Sequence, residues 1–224
     1  MTRRTPPHGP LRNRLRAALA AAAAAAAVIG FAATGAGTAH AATARPAHDR
    51  PAVFPAHVFA PYFEAYNGDN PATLSQQSGA RYLTFAFLQT ASAGSCTAYW
   101  NGDTSQPVSV ATFGSDIAAI QASGGNVIPS FGGYSADTTS TDIADSCTSV
   151  SAIAKVYKNV ITTYHVPRID LDIEADSLTN AAGINRRNEA VAQVEAWAAA
   201  HGRRIQFSYT MPSLPTGLNS AGLA

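Results

Sequence analysis

Charge is scarce in this chain of 224 residues: Lys and Arg number 15, Asp and Glu 14, and together they make up 13% of the residues. Five of the arginines, Arg3, Arg4, Arg12, Arg14 and Arg16, precede an alanine-rich apolar run from Ala17 to about Ala33. Ala39-His40-Ala41 then supplies a small-x-small cleavage site, completing the layout of a secretory signal. The run is short and mostly alanine, which favours a cleaved segment over a membrane anchor. No hydrophobic residues closely follow Arg3-Arg4, so the pair points only weakly to a twin-arginine signal. Without residues 1–41 the chain keeps 224 − 41 = 183 residues, and 15 − 5 = 10 basic residues face 14 acids, a net charge of −4. No basic patch is then left for nucleic acid or an anionic membrane, while a neutral polysaccharide or glycan is compatible with such a surface. No Gly-x-Gly-x-x-Gly opens a helix, which weakens a dinucleotide reading. The six histidines show no ligand spacing, and no cofactor is indicated. Cysteine is limited to Cys96 and Cys147. In an exported chain an even count suggests one disulfide, here closing a loop of about fifty residues; the alternative is two free thiols. Both lie in Ser/Thr/Gly-rich stretches where a free thiol would be exposed and reactive.

What is present alternates. Residues 42–56 have no period and read as a linker or flexible mature N-terminus. Beyond them the pattern gives strands at His57–Ala60, Tyr82–Leu88, Asn126–Phe131, Arg168–Glu174 and Arg204–Met211. Helices are expected at Thr73–Ser78, Thr112–Ala122, Val150–Tyr164 and Asn185–His201. The connections Gln89–Val110 and Tyr134–Cys147 read as loops. Tyr82, Phe85 and Phe87 read as core. Alternating strands and helices imply a parallel sheet with helices outside, and the pattern alone leaves a doubly wound sheet and a TIM barrel both open.

The stretch Arg168-Ile169-Asp170-Leu171-Asp172-Ile173-Glu174 carries the chemistry. Its period of two puts Asp170, Asp172 and Glu174 on one face and the apolar residues on the other. Three carboxylates about 6.6 Å apart along a strand repel one another and resist burial. A site at the strand's C-terminal end is the natural reading, because raised carboxyl pKa values suit acid catalysis near neutral pH. The same three acids could instead bind a divalent metal, but no His or Asn stands nearby, so no metal is assigned.

This stretch resembles the active-site strand of the family-18 glycoside hydrolases, the chitinase family, whose pattern is D-x-x-D-x-D-x-E. The last three acids match; Pro167 stands where the first would be. The family's S-x-G-G appears as Ser130-Phe131-Gly132-Gly133, about one βα unit upstream. The resemblance implies a (β/α)8 TIM barrel. It covers residues 57–224, the N-terminal five-eighths of that barrel, so the chain is expected to be truncated after about strand five, with doubtful activity. It further implies a secreted enzyme cleaving β-1,4-linked N-acetylglucosamine polymers or oligosaccharides by substrate assistance. Glu174 would be the acid, Asp172 would orient the acetamido group and Asp170 would support Asp172. Tyr62 and Ser130 resemble positions whose hydroxyls bond the inner aspartates. Gly132 and Gly133 would leave room for backbone and sugar. Tyr209 and Met211 fall in the segment that fits the fifth strand and are expected at the substrate. Trp100, with Tyr99 and Tyr134, would either stack on sugar or pack its loop. The alternatives are an endo-β-N-acetylglucosaminidase on glycans and a non-catalytic carbohydrate-binding protein or inert fragment.

Overall fold

The computed structural model describes residues 54–223, so the expected signal and residues 42–53 of the expected linker lie outside the described residues. Phe54, at the end of the expected linker, is already packed: it is buried, its ring lies 5.3 Å from that of Tyr82, and the Arg168 guanidinium sits 4.9 Å above it.

Five parallel strands form the sheet: β1 (Tyr62–Glu64), β2 (Tyr82–Thr90), β4 (Asn126–Gly132), β5 (Arg168–Asp172) and β6 (Gln206–Thr210). They lie side by side in chain order, β1-β2-β4-β5-β6. A doubly wound sheet reverses its order at a switch point. This one never reverses, and right-handed crossovers then place every helix on the same face. That is the layout of consecutive strands of a TIM barrel, and among the described residues the sheet stays open between β1 and β6. Among the described residues no helix is long and apolar enough to cross a membrane.

The helical layer is α1 (Pro71–Ser78), α2 (Gly114–Ala122), α3 (Tyr134–Thr139), α4 (Ile143–Ser146), α5 (Val150–Tyr164) and α6 (Ala181–Ala200). Local chemistry sets their ends. The Asn70 side chain accepts from the Thr73 N–H, Pro71 opens α1, and Gly79 stops it at φ 74°. Ser149 caps α5, whose residues Ile153, Tyr157, Val160, Ile161 and Tyr164 turn one apolar face to the sheet. Against them lie the outward residues Phe131, Ile169 and Leu171 of β4 and β5.

Four expectations shift. The first strand begins at Tyr62, not His57, because the chain joins the sheet only where Pro61 O accepts the Thr84 N–H. The expected loop after β2 contains β3 (Ala98–Trp100), antiparallel to the end of β2. The expected loop after β4 is folded into α3 and α4, the latter capped by Asp142, which accepts from the Ala144 N–H. Finally, α6 begins at Ala181, because Asn180 accepts from the Gly183 N–H.

Cys96 and Cys147 form a disulfide that ties the β2–β3 connection to the end of α4, across 51 residues of chain. Cys147 is buried. The native chain is expected to titrate no free thiol. The Cys96→Ser, Cys147→Ser variant is expected to lose about 4 kcal/mol in urea unfolding under non-reducing conditions, from loop-closure entropy. A loss below about 1 kcal/mol would show that the bridge constrains little.

Candidate active site

The face of the sheet that carries the acids is built from alternate residues of neighbouring strands. Register pairs Ser130 with Asp170, Asp170 with Ser208, and Asp172 with Thr210, so these side chains share one face. Asp170 and Asp172 are each 5% exposed. The chain leaves β5 at Asp172 but stays extended: the Ile173 N–H donates to Thr210 O, and Glu174 has φ −132° and ψ −178°. Glu174 therefore keeps the face of the two aspartates, although it lies beyond the strand. It opens into a cleft of about 450 Å³ lined by Tyr62, Phe87, Asp172, Thr210 and Met211 among others.

The two aspartates differ in their surroundings. Asp170 accepts from the hydroxyls of Ser130 (2.9 Å), Ser208 (2.7 Å) and Thr210 (3.1 Å), so hydroxyl donors fill the positions a cation would need. Among the described residues, no group of three or more His, Cys, Asp or Glu is placed to hold a metal ion. Asp172 receives no donor on its carboxylate among the described residues. Burial, then the nearby charges of Glu174 and Asp170, push its pKa up to about 7. The Tyr62 hydroxyl donates to Thr210 Oγ1 at 3.3 Å, so it reaches the aspartates through Thr210, not directly. Burial is the main cause that raises the Tyr62 pKa to about 12, keeping the phenol neutral.

Several expected substrate residues have other places. Trp100 is fully buried, with its indole N–H donating to the Tyr164 hydroxyl at 2.9 Å; it packs the core and cannot stack on a sugar in the cleft. Tyr209 lies on the opposite face of β6 and donates to Asn188 Oδ1 of α6 at 2.8 Å. Met211, one step past the strand, does line the cleft. Ser130 is fully buried and touches Asp170. Gly132 makes room for backbone and Gly133 for a side chain: a Cβ on Gly132 would stand 2.2 Å from Asp172 O, and one on Gly133 would stand 2.8 Å from the Phe87 ring. Phe87, read as core, is a cleft residue.

Sequence reasoning missed Ser208, Thr210 and Asp137. The first two were visible as the polar half of the alternation Phe207-Ser208-Tyr209-Thr210. Asp137, in the first turn of α3, lies in a Ser/Thr/Asp-rich run with no local signal. It is 1% exposed, and its Oδ2 accepts the Glu174 N–H at 2.5 Å. Burial raises its pKa to about 7.

A comparison with protein-family models finds no match. Two curated relatives do match. Over 172 residues the chain is 31% identical to a probable bifunctional chitinase/lysozyme of Escherichia coli (strain K12), covering 76% of this chain and 18% of that protein. Over 174 residues it is 30% identical to Endochitinase 11 of Metarhizium anisopliae, covering 76% of this chain and 31% of that protein. Among solved structures, active domain 2 of a thermostable chitinase from Pyrococcus furiosus, as a catalytic-site mutant complexed with chito-oligosaccharides, superposes with a TM-score of 0.62 at 25% identity. The match covers 75% of this chain and 51% of that domain. Over about three quarters of its length the chain is similar to chitinases, and its fold is that of a chitinase catalytic domain. It spans less than a third of the two curated relatives and about half of the solved domain. The chain carries Ser130, Asp170, Asp172 and Glu174 on consecutive barrel-type strands and the turn that follows β5.

The buried carboxyls make stability depend on pH. Asp137 and Asp172 ionise near 3.8 when unfolded but hold their protons to about 7 when folded. Between those limits the folded state binds more protons than the unfolded one, so stability falls as pH rises. The urea midpoint is expected to drop between pH 5 and pH 8, and Asp172→Asn is expected to flatten that slope. A midpoint rising across this range would contradict the assignment.

Proposed function

We propose that this chain acts as a chitinase-type glycosidase on β-1,4-linked N-acetylglucosamine polymers or oligosaccharides, by substrate-assisted hydrolysis with retention. The observation that carries this reading is the contrast between the two buried aspartates. Asp170 is filled by three hydroxyls, whereas Asp172 faces the cleft without a donor, beside Glu174. A substrate acetamido N–H would supply the missing donor. That contact would aim the acetamido carbonyl oxygen at the anomeric carbon, replacing the carboxylate nucleophile that most glycosidases use. Glu174 gives its proton to the leaving glycosidic oxygen as the carbonyl oxygen bonds to the anomeric carbon. The resulting oxazolinium ion is positive, and ionised Asp172 offsets it. Glu174, now a carboxylate, takes a proton from the incoming water, which opens the ring with net retention. Thr210 and Ser208 hold Asp170 in place beneath this pair. The chito-oligosaccharides bound to the Pyrococcus furiosus chitinase mutant support the same ligand class here. Export through the N-terminal signal is part of the proposal, and the Cys96–Cys147 bridge is compatible with an oxidising compartment.

The test is release of chromophore from a chromogenic N-acetylglucosamine oligomer, with proton NMR of the first-formed anomer. The β-anomer is expected first. An α-anomer would overturn the substrate-assisted step, and no release at all would overturn the activity.

A further inference from the structure

The Glu174 side chain caps nothing, and the residue that follows it, Ala175, has φ 39°. What holds its main chain is Asp137. The Asp137 N–H donates to Gly133 O at 3.0 Å, and the Gly133 N–H donates to Asp172 O at 2.9 Å. The end of β4 thus fixes Asp137 relative to β5, and Asp137 in turn takes the Glu174 amide. This close approach depends on Gly132, where a Cβ would meet Asp172 O at 2.2 Å and Asp137 Oδ1 at 3.5 Å. Asp137 is poorly suited to a purely structural role. It is 1% exposed, its Oδ1 has no partner among the described residues, and its Oδ2 takes the Glu174 amide. A buried carboxyl satisfied on one oxygen is costly.

We propose that Asp137 is a positioning residue for Glu174, anchoring its amide behind the cleft and so setting the direction in which its carboxyl leaves the main chain. This rests on the reading of Glu174 as the acid. Misdirecting that acid slows proton transfer and leaves substrate binding nearly intact.

The test compares Asp137→Ala, which removes the acceptor, with Asp137→Asn, which keeps one, in the full chain. In the Ala variant kcat is expected to fall about 10–100-fold, the cost of leaving the Glu174 amide without its acceptor. KM should change by less than about threefold, on the argument that binding is spared. The Asn variant should recover most of the rate. In parallel, the ¹⁵N–¹H resonance of the Glu174 amide should lie downfield in the parent and move upfield in the Ala variant. An Ala variant with parental kcat, an Asn variant as slow as the Ala one, or an amide that does not move would each overturn the proposal. So would a joint collapse of kcat, KM and melting temperature, which would mark a merely structural residue. If the parent hydrolyses nothing, the reading of Glu174 fails on its own, and the amide resonance still decides whether Asp137 holds it.

Discussion

Glu174→Gln is expected to lower kcat on a chromogenic N-acetylglucosamine oligomer by about 10³-fold, within the range that general acid–base catalysis contributes. The substitution keeps the shape and hydrogen-bonding capacity of the side chain and removes the proton it would transfer. Glu174 is only partly buried and opens into the cleft, so stability should change by less than about 0.5 kcal/mol. The joint result, lost turnover with an unchanged unfolding midpoint, separates a chemical role from a folding one. Turnover within about threefold of the parent would remove Glu174 from the mechanism, leaving Asp172 and Glu64 as the other carboxyls that line the cleft.

The residues of this site were legible in unequal measure. The acid run shows itself because its period of two is local: Asp170, Asp172 and Glu174 share a face whatever surrounds them. Helix α5 was equally plain, since its apolar stripe and Ser149 cap lie within one segment. Sequence order alone left two parallel architectures open, and the strand order decided between them. Tyr209 went astray for a long-range reason. Which half of β6 faces the cleft depends on its register with β5, 38 residues away, and that register pairs Asp170 with Ser208. Trp100 was left open between sugar stacking and packing because β3 spans three residues, too few for a period to appear. Asp137 was invisible because its meaning lies in one backbone amide 37 residues further on.

A large loss of stability is expected at Arg187. It is buried in α6, with its guanidinium 2.9 Å from Asp142 and 3.8 Å from Asp145. Asp142 also caps α4, while Asp145 takes the Ser177 hydroxyl and the Asn180 amide. One cation thus serves the helix that follows the site and the turn that follows Glu174. Arg187→Ala would leave Asp142 buried without its counter-charge, which is expected to cost about 3–5 kcal/mol in urea unfolding at pH 7. Against a typical total of about 5–15 kcal/mol, that is a large share of the fold. Removing both charges is expected to be milder, so Arg187→Met with Asp142→Asn should recover more than half of the loss. The cost should also depend on pH. Burial raises the pKa of Asp145 while the Arg187 charge lowers it, so without that charge Asp145 protonates more readily as pH falls, which offsets part of the loss. The loss in Arg187→Ala should therefore be smaller at pH 5 than at pH 8. An equal loss at both would mean that Arg187 holds this corner by packing its stem, not by its charge.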